Sequence, residues 1–397
     1  MHEDNFYMKW MPFYKLFSTL FRAIVFTFVM ILSEVSMGSV NLLSFVSIVT
    51  VVGIIIGLGS QDSLLGASKN FFYFYKKFSP IFIILLILCS FFLNFESFLI
   101  NSLISALYFG SIFWMLGEIR IYSLVYYEAI LSSYMAILWS IYVFLIPFET
   151  ENFSILSLVF LLISILVFLF SIFLRFKNNK QRKIVSGGFA AISISKLSWE
   201  VIYSAFTRSP FLFWNFFVAL PSIFSYLYYF CELLSAVISQ YQSKFLSSNQ
   251  DKDHSNLYYK LMAFLTFGYI VAIFFLIILF NFQEEILKFL ISSSFFSNIL
   301  YRILSLSNID LILCITCSLV ILLMQWVAYA RYAFKLHANI SIVLVFGTIF
   351  LVNSFLIYFF IGPLGKEGLI YLTLITILIL ILSLIYFLVK IEKNYIS

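Results

Sequence analysis

Apolar runs, each about as long as a membrane crossing, alternate with short polar breaks along the chain. At 1.5 Å of rise per residue, a helix needs about 20 apolar residues to cross the hydrocarbon layer. The pattern predicts twelve transmembrane helices, at 13–33, 40–59, 78–95, 98–116, 122–147, 153–174, 193–217, 221–240, 261–280, 308–328, 339–360 and 369–388. Only Glu96 and its neighbours divide the third from the fourth. Pro80 and Pro221 fall at helix starts and Pro147 at an end. Pro210 lies inside the seventh helix, two residues after Arg208, where its missing N–H and its ring predict a kink.

Polar positions inside these runs follow helical spacing. Lys15, Ser18, Thr19 and Arg22 share one face of the first helix, at i, i+3, i+4 and i+7. Lys196, Glu200, Ser204, Thr207 and Arg208 share a face of the seventh. Tyr228, Glu232, Ser235 and Ser239 share a face of the eighth. Helices one, seven and eight are therefore expected to line a polar cavity. Its lining would include Lys15, Ser18, Thr19, Ser204, Thr207, Tyr228 and Ser235.

An arginine at the centre of a membrane helix costs about 2.5–3.5 kcal/mol on the insertion scale, so it should face protein or a wet cavity. Two readings stand side by side for Arg208. It can pair with Glu200 or Glu232 and tie helices together. Alternatively, Arg22 and Arg208 form a cationic site for a diphosphate, which guanidinium binds bidentately. Arg22 has no acid at matching spacing on its own helix, and it is close enough to the helix start to snorkel. Glu128, Glu200 and Glu232 are the candidate acids for coupling to H+ or Na+, with Glu128 near a helix start.

Composition sharpens the class. Of 397 residues, 63% are apolar and 11% charged, against about 25% charged in a soluble domain. Such a chain needs lipid around it. The net charge of +6 does not call for nucleic acid, because the basic residues sort by loop. With the amino terminus in the cytoplasm, only Lys288, Arg302 and Lys366 fall on the opposite face, and Arg22 and Arg208 lie within helices. The other basic residues lie on the cytoplasmic face, which favours twelve helices with both termini inside. MHEDNFYMKW lacks the basic start and cleavage site of a signal peptide, so the first helix is expected to be retained. Cys314 and Cys317 form C-x-x-C in mid-helix, without a second Cys or His pair, and read as packing residues. No metal or other cofactor is expected, and no loop is large enough for a catalytic domain.

The basic segment 176–192 follows the sixth helix and divides the chain into bundles 1–175 and 193–397. One offset, 186, relates Arg22 to Arg208 and also Ser39 to Ser225. Secondary transporters are often built from two such repeats.

Three stretches carry a family likeness: MGSVNLLSF at the start of the second helix, GIIIGLGSQDSLL with Gly57, Gly59 and Asp62 at its close, and GPLGKEGLIYLTLIT with Pro363, Gly365 and Gly368 opening the twelfth. With the twelve-helix pattern, the chain resembles the Wzx-type polysaccharide flippases of the multidrug/oligosaccharidyl-lipid/polysaccharide exporter superfamily. The second half departs from the pattern, with SQYQSKFLSS where the first has its glycine turn. The resemblance implies an all-α polytopic membrane protein, two six-helix bundles around a central cavity, in the bacterial inner membrane. It implies alternating-access transfer of an undecaprenyl-diphosphate-linked oligosaccharide, the repeat unit of an O-antigen or capsule, with Arg22 and Arg208 matching the cationic residues that receive the diphosphate. Candidate partners are the polysaccharide polymerase and a chain-length regulator. Two other readings are a polymerase and a MATE-type multidrug antiporter. The first is disfavoured because only 281–307 could serve as its large basic periplasmic loop. The second is disfavoured by Arg22 and by the lack of a mid-helix acid in helices one to four.

Overall fold

The computed structural model describes residues 20–21, 23–34, 38–56, 105–108, 110–112, 138, 159, 162–167, 169–170, 173, 199, 201–239, 255–290, 301–333 and 340–396. Among these residues there is helix and connecting turn but no strand. We label the helices α1 (Ala23–Glu34), α2 (Ser39–Ile56), α3 (201–207), α4 (Ser222–Ser239), α5 (Ser255–Asn281), α6 (Gln283–Leu290), α7 (Asn308–Ala333), α8 (340–364) and α9 (366–396). Three stretches are long and apolar enough to cross a membrane: Tyr258–Asn281, Asn308–Ala330 and Pro363–Tyr386. Each has 23 or 24 residues, or about 35 Å of helix against a hydrocarbon core of about 30 Å.

The chain forms two compact units. The first contains 1–29, 45–204 and 338–343, and the second 30–44, 205–337 and 344–397. Residues 30–44 thus cluster with segments that follow the basic stretch 176–192.

In the first unit, Leu162, Leu166, Leu169 and Phe173 are exposed at i, i+4, i+7 and i+11, while Ser164 and Val167 are buried. Large apolar side chains turned outward over a buried serine reverse the order of a soluble helix, as suits a face against lipid. Trp199 is buried and stacks on Tyr203 at 6.1 Å.

The second unit repeats this reversal. On α5, Phe264, Phe267, Phe274 and Phe275 lie outward, Phe267 being 66% exposed, while Tyr258, Leu265 and Tyr269 are buried. On α9, Leu374, Leu378, Leu382 and Ile385 lie outward, while Leu380, Thr373 and Thr376 are buried. Stripes of this length on a soluble monomer would be an aggregation surface. This establishes an all-α membrane protein.

Helices α4, α5 and α7 pack against one another. Gly268 lets α5 approach α4, since a Cβ there would stand 2.6 Å from Leu234 Cδ1. The buried Tyr269 hydroxyl donates to Gln325 Oε1 at 3.1 Å, joining α5 to α7. Farther along, the Tyr258 hydroxyl donates to the Trp326 carbonyl, and the Tyr329 hydroxyl donates to the Ser235 carbonyl at 2.9 Å. Cys231, Cys314 and Cys317 are buried and free.

The last two predicted helices run together without a loop, joined at Gly365, whose φ of 57° and ψ of −131° break the helical path. Thr376 Oγ1 donates to Asn353 Oδ1 at 2.9 Å, across 23 residues. Along a straight helix these would be about 35 Å apart, so the chain reverses at Gly365 and α8 and α9 form a hairpin. A side chain is disfavoured there by conformation alone, because a Cβ would meet nothing within 4 Å.

The hairpin turn docks on the start of α7. Ser307 and Asp310 make a capping box: the Ser307 hydroxyl accepts from the Asp310 N–H, and the Asp310 carboxylate accepts from the Ser307 N–H. Lys366 Nζ lies 2.6 Å from the other Asp310 oxygen. Nearby, the Gln283 side chain both donates to the Leu306 carbonyl and accepts from its N–H, closing the 281–307 segment over its described ends. The structure ends α5 at Asn281 and starts the separate α6 after Phe282.

Candidate functional site

Two polar clusters lie in the second unit, and both join segments far apart in sequence. The first centres on Arg208. Pro210 cannot donate to the carbonyl four residues back, that of Phe206. The Ser209 hydroxyl takes that acceptor at 2.8 Å. The helix then changes register. Arg208 forms a turn whose carbonyl accepts from both Phe211 and Leu212, and Pro210–Trp214 winds as a π-helix before Asn215–Phe217. The kink expected at Pro210 is therefore a π-bulge, a local device common where a helix carries a site.

The bulge presents Arg208 to α4. Arg208 Nη2 stands 2.7 Å from Glu232 Oε1, and the Tyr228 hydroxyl donates to the same oxygen at 2.9 Å. The pair is not sealed: the arginine side chain is 19% exposed and the glutamate 31%. Beneath it, Phe211 stacks on Phe224 at 5.5 Å and meets Tyr228 edge-on at 4.7 Å, fixing the tyrosine ring. Glu232, one of the two acids expected to pair with Arg208, does so. Glu200 lies outside the described residues, as do Arg22, Lys15, Ser18, Thr19 and Glu128. Thr207 is buried beside Arg208 in sequence, Ser204 is buried in the first unit, and the Ser235 hydroxyl lies 3.3 Å from that of Tyr329.

The second cluster surrounds Glu34, at the end of α1, and was not anticipated from sequence. Glu34 is 1% exposed. Its two carboxylate oxygens accept from the Ser222 hydroxyl at 3.3 Å and the Tyr226 hydroxyl at 3.4 Å. Its backbone carbonyl accepts from Arg302 Nη1 at 2.7 Å. A guanidinium on the last carbonyls of a helix satisfies an orphan acceptor and suits the negative end of the helix dipole. Gly38, at φ 84°, then turns the chain into α2, with its N–H on the Ser33 carbonyl and its own carbonyl accepting from Leu42.

Further bonds extend this cluster. The Ser225 hydroxyl donates to the Ser39 hydroxyl at 2.6 Å, joining the two serines related by the offset of 186. The Asn215 amide donates to Asn41 Oδ1 and Ser44 Oγ, each at 3.3 Å. The beginning of α2 and the segment 215–226 are thus laced by side-chain amides and hydroxyls. A sequence signal for Glu34 exists: it is the one ionisable residue between Arg22 and Asp62. It reads as interfacial only because it follows the predicted end of the first helix.

These contacts also order the loops. Glu34 and the segments 218–222, 301–307 and 363–366 are linked in the unit through Glu34, Arg302, Asp310 and Lys366. No family model, no curated protein and no solved structure matches the chain. The class therefore rests on fold and site: an all-α membrane protein with ionisable groups turned into its helix bundle.

Proposed function

We propose that the protein is a transporter that moves an undecaprenyl-diphosphate-linked oligosaccharide repeat unit across the bacterial inner membrane by alternating access. The observation that carries the reading is Arg208. It is an arginine within an apolar helix, presented by a π-bulge and only partly covered by Glu232 and Tyr228. A guanidinium so placed can exchange a carboxylate for a diphosphate, which offers more oxygens, two of which pair with the guanidinium fork. The repeat suggested by the offset of 186 gains support from the Ser39–Ser225 contact, since residues on a local two-fold axis meet their own equivalents. The amides of Asn41 and Asn215 add neutral donors and acceptors of the kind that sugar hydroxyls use. In this reading Arg22 is the counterpart of Arg208, both termini are cytoplasmic, and twelve helices form two bundles.

The test combines a deletion strain with a charge exchange. Loss of the protein leaves lipid-linked single repeat units at the cytoplasmic face. Exchanging the partners, Arg208→Glu with Glu232→Arg, keeps the ion pair but moves the cation to α4. Normal abundance with lost export is the expected result. Normal export from the exchanged protein would overturn the assignment of Arg208 to the diphosphate. Single units that reach the periplasmic side but are never extended would make the protein a polymerase instead.

A further inference from the structure

The oxygen that Arg208 holds is shared. Glu232 Oε1 takes the guanidinium at 2.7 Å and the Tyr228 hydroxyl at 2.9 Å. Two donors on one carboxylate oxygen draw on the same charge, so each holds it less firmly than it would alone.

The two donors differ in freedom. Arg208 reaches Glu232 from the turn after α3, through a long side chain that is itself partly exposed. Tyr228 stands on the same helix as Glu232, at i and i+4, where side chains are neighbours. It is buried, with Phe211 edge-on to its ring at 4.7 Å and Phe224 tilted against it at 6.5 Å. A ring so enclosed has no room to swing away. Arg208 is therefore the donor that can leave, and Tyr228 the donor that stays.

This asymmetry bears on how an anion enters. An incoming diphosphate takes the guanidinium from Glu232, and a carboxylate stripped of its cation is costly. The Tyr228 hydroxyl lowers that cost, because its bond to Glu232 strengthens once the competing cation has gone. It also loosens the ion pair beforehand, by sharing the oxygen. Both effects act in the direction of exchange.

We propose that Tyr228 is a positioning residue for diphosphate capture: it keeps hold of Glu232 when Arg208 turns to the ligand, so that Glu232 is an occupant the ligand displaces. Glu232 then acts as a built-in competitor, which neutralises the guanidinium between ligands. The inference rests on the reading of Arg208 as the residue that receives the diphosphate.

The test titrates undecaprenyl diphosphate against the purified full chain in lipid nanodiscs and reads the dissociation constant. Glu232→Gln removes the competing charge, and binding should tighten about tenfold. Tyr228→Phe keeps the ring against Phe211 and Phe224 and removes only the hydroxyl. Binding should weaken about fivefold, the difference between a hydrogen bond to a bare carboxylate and one to a shared oxygen. In the Glu232→Gln background the same Tyr228→Phe change should alter binding by less than about twofold, because no stripped carboxylate remains to be held. A structural role, or direct contact of Tyr228 with the ligand, would weaken binding equally in both backgrounds. Equal effects in the two backgrounds, an unchanged affinity in Tyr228→Phe alone, or weaker binding by Glu232→Gln overturns the proposal. The underlying reading fails differently. A parent chain that binds no undecaprenyl diphosphate, or an Arg208→Ala variant that binds it like the parent, removes the diphosphate assignment itself, and the positioning role falls with it.

Discussion

Glu232 and Glu34 are the same residue type, a few turns apart in one unit, and their surroundings are opposite. Glu232 is a third exposed and has a guanidinium and a phenol on one oxygen. Glu34 is buried and has two hydroxyls, with the nearest guanidinium spent on its backbone carbonyl. Burial and compensation therefore run against each other. Among the described residues, the acid that water can reach is paired with a cation, and the acid that water cannot reach has hydroxyl partners. A charge pair that lies open to water is poised for exchange with another anion.

Three substitutions sharpen this comparison. The largest expected effect is that of Arg208→Ala, which strands Glu232. Breaking a fully buried pair costs about 3–5 kcal/mol, and the partial exposure here brings the expectation down to about 2 kcal/mol. Thermal unfolding in detergent reads it, and adding Glu232→Gln should recover most of the loss. If Arg208→Ala alone melts like the parent, water compensates Glu232 and the guanidinium is held there for something other than stability.

Asp310→Asn calibrates the scale. The amide keeps an oxygen for the Ser307 N–H but loses the charge facing Lys366, so about 1 kcal/mol is expected. Because Lys366 opens α9, protease sensitivity should rise around 363–366 in the variant. An unchanged cleavage pattern would show that the α8–α9 turn is held by packing and not by the ion pair.

The smallest effect belongs to Glu34→Gln. The amide retains an acceptor and adds donors, and the partners described for the side chain are neutral hydroxyls. A change within about 0.5 kcal/mol, of either sign, is expected in the same unfolding assay at neutral pH. A loss as large as that of Arg208→Ala would mean that the ionised carboxylate has a cation among its neighbours in solution, and the contrast between the two acids would vanish.

Much of this was legible residue by residue. Helix positions for α2, α4, α5 and α7 follow from apolar run length, and their observed bounds differ by up to six residues at an end. The face shared by Tyr228 and Glu232 is a matter of 3.6-residue spacing, and their hydrogen bond realises it. Pro210 marked the irregularity beside Arg208, because a missing N–H is a local fact. Pro363 and Gly365 marked the start of the last helix through the family likeness of GPLGKEGLIYLTLIT. What spacing alone did not reveal was the identity of contacts between distant segments. Arg208 had two acids within plausible reach, and Glu34 had no visible partner at all.

The division has a physical cause. Run length, periodicity, loop charge and the backbone limits of Pro and Gly act within a few residues or against the solvent, so the sequence by itself determined that this is an all-α membrane protein and where its described helices run. The bonds of Glu34 to Ser222, Tyr226 and Arg302 span 188 to 268 residues, and that of Asn215 to Asn41 spans 174. Such pairings depend on which helix faces meet and at what depth. Lipid offers no gradient between one apolar face and another, so only close packing and the need to satisfy each buried polar group choose among them. The tertiary structure alone decided that Arg208 meets Glu232, that the α8–α9 turn meets Asp310, and that the buried carboxyl at the end of α1 meets the hydroxyls of Ser222 and Tyr226.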